Sequence, residues 1–281
     1  MNNSEYERVK TLTREGVKMR LKNSLGAAVG EIIENKLIVE VKKKRSLYNF
    51  LKEGRKKGIR IIAEIKPSSP SKGNLKAITI ENIAGIVEEL EHGGASAISV
   101  LVEPRKFNGS MQFLKKAREA TDLPILAKGF FYTPIHLSEC SVFGADAYLS
   151  MIRVLETLKV NKEEFIQFGQ KLDLEPFFEA NSLEEISSVP SIERRIVEIN
   201  NRNIYGDFEI NLSNISIGKN LPEKDVLVSA SGVFSEQDIE ELFCLSNNRL
   251  DAVLIGTSIM ESEDITDKIR EFVDKGKEVV K

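Results

Sequence analysis

From residue 61 onward, eight short runs rich in β-branched and aliphatic residues recur, each followed by a helical pattern. They fall at 61–66, 96–102, 124–128, 146–149, 175–179, 195–200, 226–230 and 251–255. Strands separated each time by a helix lie parallel, because a crossover and not a hairpin joins them. Eight such units predict an α/β fold, an eight-stranded βα (TIM) barrel, and 281 residues suffice for one barrel of about 250 residues. An open doubly wound sheet is the runner-up, weakened because no G-x-G-x-x-G follows the first strand. Between the runs, Ile83, Ile86, Val87 and Leu90 form an apolar stripe that ends at Gly93-Gly94. Ser235 and Asp238 have capping-box spacing ahead of Ile239, Leu242 and Phe243, and Ile265, Ile269, Phe272 and Val273 make the last stripe.

Residues 1–57 are charged and lysine-rich, with apolar positions at Val9, Leu12 and Val17 and again around Leu47, Phe50 and Leu51. This spacing predicts an N-terminal helical extension packed on a barrel formed by residues 58–281. Lys42-Lys43-Lys44-Arg45 reads as a solvated face. The 40 basic and 43 acidic residues are interspersed and leave a net charge of −3, which points away from nucleic acid and membrane surfaces as partners. No apolar run nears ~20 residues and the first residues are not a signal peptide, so a cytoplasmic protein is expected. Cys140, Cys244, His92 and His136 match no metal-site spacing, so no metal is expected and both thiols are predicted free and buried. The sequence carries no signal for an oligomeric state.

In a βα barrel, chemistry sits at the C-terminal ends of the strands. The first strand ends in Glu64 and Lys66, two residues apart and therefore on one face, while Ala63 and Ile65 line the other. A surface strand with a salt bridge is the ordinary reading of that pair. The remaining ends carry Lys128 and Phe130, Glu179, Asn200 and Arg202, Ser231-Gly232, and Gly256-Thr257. Taken singly, Lys128 could snorkel, Glu179 could cap a helix and Asn200 could form a turn. Polar groups at so many converging ends favour one shared site. Small residues after strands seven and eight let backbone N–H groups approach a phosphate, although two tight turns would look the same.

The order Ile61-Ile62-Ala63-Glu64-Ile65-Lys66, followed by Ser69-Pro70-Ser71-Lys72-Gly73, resembles the signature of the indole-3-glycerol-phosphate synthase family. The resemblance extends over about residues 60–260. It implies that Lys128, in Leu126-Ala127-Lys128-Gly129-Phe130, is the general acid and that Glu179, in Pro176-Phe177-Phe178-Glu179, is the catalytic glutamate. It implies further site roles for Glu64, Lys66 and Asn200, and substrate contacts from Ser69, Phe130, Arg202, Ser231 and Leu254. Ser231, Gly232, Gly256 and Thr257 would hold the phosphate. The implied reaction closes the ring of 1-(2-carboxyphenylamino)-1-deoxyribulose 5-phosphate, with loss of CO₂ and water, to indole-3-glycerol phosphate. No cofactor is implied. A lysine kept charged by carboxylates can protonate the carbonyl oxygen, Lys66 can pair with the substrate carboxylate, and Glu179 and Glu64 are the candidate bases. The two lysines fit the acid steps in either order.

Three departures stand out. The family usually has a glutamate where Ala230 stands, an aspartate where Gly129 stands, and Asp-Leu-x-Thr where Asn203-Ile204-Tyr205-Gly206 follows Arg202. Two other readings therefore compete with the synthase: a divergent barrel paralogue acting on a different phosphorylated ligand, and a catalytically dead one that only binds such a ligand or a partner protein. Retention of Glu64, Lys66, Lys128 and Glu179 argues against mere binding, which has no need of buried charges. Glu198, in Ile196-Val197-Glu198-Ile199-Asn200, stands where the family normally has glycine. Two residues before Asn200, it is expected inside the barrel and one layer deeper, as a replacement carboxylate paired with Lys66 or Lys128. The alternative is a register shift that turns it outward among Arg194 and Arg195.

Overall fold

Eight parallel strands close into a barrel: β1 (Arg60–Ile65), β2 (Ala97–Leu101), β3 (Ile125–Lys128), β4 (Ala147–Met151), β5 (Glu175–Ala180), β6 (Ile196–Asn200), β7 (Val226–Ala230) and β8 (Ala252–Ile255). This is a computed structural model that describes residues 45–69, 72–203 and 208–281. The predicted apolar positions Val9, Leu12 and Val17 and the basic run's Lys42, Lys43 and Lys44 lie outside the described residues. Each strand pairs with its neighbours in sequence, and β8 returns to β1 from Arg60↔Ala252 to Ala63↔Ile255. That last pairing makes the sheet a closed barrel and not an open one. Strand limits differ from the apolar runs by one or two residues.

Both faces of the sheet are covered. On β1, Ile61, Ala63 and Ile65 are fully buried beneath the outer helices, while Glu64 faces the interior. The helix Ile83–His92 buries the expected stripe of Ile83, Ile86, Val87 and Leu90, and the chain leaves it through Gly94 at φ +96°, a conformation open to glycine. In the helix Glu236–Leu245 the Asp238 carboxylate accepts from the Ser235 N–H at 2.7 Å, closing the capping box. Ile239 and Leu242 are buried there, with Phe243 partly so. Ile265, Ile269 and Phe272 anchor the helix Ile265–Glu278. Between β6 and β7 the crossover is a 3₁₀ segment, Leu212–Asn220, where the alternation predicts an ordinary helix.

The helix Leu47–Gly54 is tied to the N-terminal ends of the strands, opposite the expected site. Leu47 and Leu51 are fully buried, each adding about 1.5–3 kcal/mol by removing its side chain from water. The Ser46 hydroxyl and the Tyr48 N–H donate to the Glu175 carboxylate at 2.6 and 2.9 Å. Phe50, grouped with these residues by spacing, is instead exposed. At the same end Arg195 pairs with Asp225 and Arg249 with Asp251, so the charges there have partners of their own. The expectation of two buried thiols fails at one position: Cys140 is buried, but Cys244 is exposed. Cys244 lies two residues beyond Leu242, a rotation of about 200° that takes it off the buried face. Among the described residues no helix is long and apolar enough to cross a membrane.

Candidate active site

A cavity of about 370 Å³ opens at the C-terminal ends of the strands. Strand alternation aims every second side chain into it, so Glu64 and Lys66 arrive together from β1 and its end, Lys128 from β3, Glu179 from β5 and Asn200 from β6. Ser69, Phe130, Arg202, Ser231, Gly232, Leu254, Gly256 and Thr257 also line it. The structure thus brings together thirteen of the fourteen residues named from sequence. The fourteenth, Glu198, lies beneath them: it is fully buried, and both its carboxylate oxygens approach Lys128.

The floor is a small network of charge. Lys128 Nζ lies 3.2 and 3.3 Å from the Glu198 oxygens and 3.7 Å from Glu64 Oε2. Lys66 Nζ lies 3.4 Å from Glu64 Oε1. Burial works against the charge on Lys128, but Glu198, Glu64 and Glu179 outweigh it and raise its pKa above the ordinary lysine value. Glu179 sits opposite Glu198 in the β5–β6 register. Burial first, then the Glu198 carboxylate, push the Glu179 pKa up to about 8, against the pull of Lys128 and Asn200. Burial also raises Glu198, opposed chiefly by Lys128. Like charges that close cannot both persist, so the pair holds one proton near neutral pH. The proton belongs on Glu179, since Glu198 has the lysine. Among the described residues Glu179 Oε1 is buried with no hydrogen-bond partner.

The opposite wall is backbone. After β7, Ser231 takes φ +66° and Gly232 φ +92°, consecutive left-handed residues that turn the chain sharply. A left-handed serine costs of order 1 kcal/mol or more, and such strain clusters at binding sites. A Cβ on Gly232 would lie 2.6 Å from Ile210 Cγ2 and 2.7 Å from Leu212 Cδ2, so glycine is also required by packing. After β8, Gly256 precedes the short helix Thr257–Met260, whose first N–H groups have no intrahelical acceptors. The Ser258 hydroxyl donates to the Val233 carbonyl at 2.9 Å and ties the two loops together.

The three departures have structural counterparts. A Cβ on Gly129 would meet Val102 Cγ2 at 3.0 Å and Phe131 Cζ at 3.1 Å, so these two side chains occupy the space an aspartate would need. Ala230 lines the cavity and pairs in register with Asn200. The β6 register also rules out the outward alternative for Glu198, which pairs with Lys128 and not with Lys66. Beyond Arg202 the chain turns back so that Ile210 pairs antiparallel with Arg202, whose guanidinium donates to the Phe208 carbonyl at 3.2 Å; Ile204, Tyr205 and Gly206 lie outside the described residues. Sequence reasoning missed Lys106, Phe107, Met151, Phe208 and Phe234 in the cavity wall. Lys106 and Phe107 follow the end of β2 and Met151 ends β4, so a full survey of strand ends would have found them. Phe208 carried no such signal, because the turn that brings it back is not periodic.

A model of the indole-3-glycerol phosphate synthase family matches residues 15–272. The chain is 38% identical to an indole-3-glycerol phosphate synthase of Methanocaldococcus jannaschii, over 84% of this chain and 86% of that one. It is 35% identical to one of Aquifex aeolicus, over 83% and 88%, and 34% identical to one of Endomicrobium trichonymphae, over 92% and 94%. Among solved structures, a thiamine phosphate pyrophosphorylase from Pyrococcus furiosus superposes with a TM-score of 0.54 at 15% identity, covering 81% of this chain and 99% of that one, a likeness of fold alone. With relatives matching nearly end to end, and with lysines and carboxylates converging at one barrel mouth, the chain belongs to the indole-3-glycerol phosphate synthase family.

Proposed function

We propose that the protein is an indole-3-glycerol-phosphate synthase, a carboxy-lyase of tryptophan biosynthesis that converts 1-(2-carboxyphenylamino)-1-deoxyribulose 5-phosphate to indole-3-glycerol phosphate, CO₂ and water. One observation carries the reading: Lys128 is clasped by carboxylates on the cavity floor, with Glu179 beside it and two amide-rich loops across the mouth. The phosphate is assigned to the turns at Ser231-Gly232 and Gly256-Thr257, which fixes one end of the substrate. Lys66, Ser69 and Arg202 face the same space, and Lys66 is placed to pair with the benzoate carboxylate. Phe130 and Leu254 supply apolar wall against the aromatic ring.

The ring carbon bearing the carboxylate attacks the ketone carbon. As the carbonyl oxygen gains charge, Lys128 gives it a proton, which makes the new hydroxyl. CO₂ then leaves with its bonding electrons returned to the ring. In the final step the hydroxyl departs as water with a proton from a lysine, while the adjacent methylene carbon next to the ring nitrogen loses a proton to Glu179 or Glu64 and the indole double bond forms. Asn200, whose Oδ1 accepts from the Arg202 N–H at 3.0 Å, keeps the β6 end in place beside Glu179. Family membership and the four retained charged side chains weigh against a paralogue with another ligand. The test is direct: purified protein is mixed with the substrate and indole fluorescence is followed. A folded protein that binds the substrate and yields no indole product ends the proposal.

A further inference from the structure

Five ionisable side chains meet on the cavity floor, Glu64, Glu179, Glu198, Lys66 and Lys128, and their distances divide them unevenly. Lys66 goes to Glu64 at 3.4 Å, and Lys128 lies nearer Glu198 than Glu64. Two cations for three carboxylates leave one carboxylate over. Glu198 is the deepest of the three and is absent from the cavity wall. It stands between Lys128 on one side and Glu179 on the neighbouring strand. Among the described residues the inward positions of the other strands add no charge: β2 offers Ser99 and Leu101, β4 Leu149 and Met151, β7 Val228 and Ala230, and β8 Leu254, while Lys106 belongs to the cavity wall, which Glu198 does not join. Arg202, at the β6 end, gives its guanidinium to the Phe208 carbonyl.

We infer that Glu198 is a positioning residue that anchors the Lys128 ammonium from below and keeps a proton on its neighbour Glu179, so that the resting site holds a charged lysine and a carboxyl that serves as base only once its proton has left. It does this without touching the substrate. Ala230 is part of the same device. In the layer above, its methyl stands where the family usually has a glutamate, in register with Asn200. The carboxylate has in effect moved one strand over and one layer down. The like-charge contact with Glu198 adds to burial in favouring the protonated form of Glu179. The role assigned to Lys128 rests on the synthase reading; the proton on Glu179 does not.

The tests separate the two. Infrared spectra of the wild-type protein at pH 7 should contain a carboxylic-acid C=O band that disappears in Glu179→Gln and weakens in Glu198→Gln. That readout needs no substrate and stands even if the synthase reading fails. In turnover, Glu198→Gln should lower kcat at least tenfold with little change in KM. It should also move the acid limb of the kcat/KM profile down by about one pH unit or more, because the neighbouring negative charge has gone. A merely structural role would leave that limb in place. If Glu198→Gln does not fold, the double variant Glu198→Gly with Ala230→Glu, which returns the carboxylate to β7, should fold and recover turnover. No acid band in wild type at pH 7, or an unmoved limb with unchanged kcat in Glu198→Gln, overturns the inference; so does a double variant that folds but is inactive while the wild type turns over.

Discussion

Replacing Lys128 by methionine keeps an unbranched side chain, shorter by its terminal atom, and deletes the charge. Glu64 retains Lys66 at 3.4 Å, but Glu198 loses the ammonium that lies 3.2 and 3.3 Å from its two oxygens. At an effective dielectric of about 20 that attraction is worth about 5 kcal/mol before desolvation is counted. A fully buried carboxylate left in this way takes up a proton. From an ordinary carboxyl value near 4.3, doing so costs about 3.7 kcal/mol at pH 7 and about 1 kcal/mol at pH 5, within the range of about 3–5 kcal/mol for breaking a buried pair. The sign follows from proton counting. The folded variant holds one more proton at Glu198 than the folded wild type, whereas both unfolded chains have released it above about pH 5. The variant therefore loses stability relative to wild type as pH rises, by about 1.4 kcal/mol per unit between pH 5 and 7. Urea unfolding of both proteins at pH 5, 6 and 7 measures that gap. A difference that stays constant across the three would refute the pairing of Lys128 with Glu198. Turnover should fall by about 10²-fold or more at near-constant KM.

Other expectations follow from the same geometry. With the Glu179 pKa pushed up to about 8, kcat/KM should climb with pH until about 8, and Glu179→Gln should be nearly inactive at every pH. The same shift means that folded Glu179 keeps a proton its unfolded form has lost, so wild-type stability should decline from about pH 5 to 8 more steeply than that of Glu179→Gln in thermal or urea melts. At Gly256 a new Cβ would sit 2.6 Å from Glu64 Oε1, so Gly256→Ala should push Glu64 off Lys66 and cut kcat about tenfold or more before any phosphate contact is affected; wild-type kcat in this variant would show that Glu64 has room to move. Gly129→Asp restores the family's acid against Val102 and Phe131 and should destabilise the fold by about 1–3 kcal/mol, read as a lower urea midpoint.

The barrel and the set of side chains gathered at its mouth were legible in the sequence for a local reason. Eight apolar runs alternating with helical stripes set strand number, order and direction, and the two-residue period fixed that Glu64 with Lys66, and Glu198 with Asn200, share a face. The Gly-containing ends of the last two strands placed the loops assigned to phosphate in the same way. Tertiary structure alone decided how the charges divide. Lys128 and Glu198 are 70 residues apart, and no periodicity measures the distance between them; it exists because β8 hydrogen-bonds to β1 and closes the ring. Closure gave Glu198 Lys128 and not Lys66, and faced it with Glu179. The same holds for the 3₁₀ crossover Leu212–Asn220, and for Phe208, returned to the mouth by a turn. Local pattern reports which side chains point inward; which of them then meet depends on long-range packing, where a difference of half an ångström between 3.2 and 3.7 Å selects the partner of the lysine.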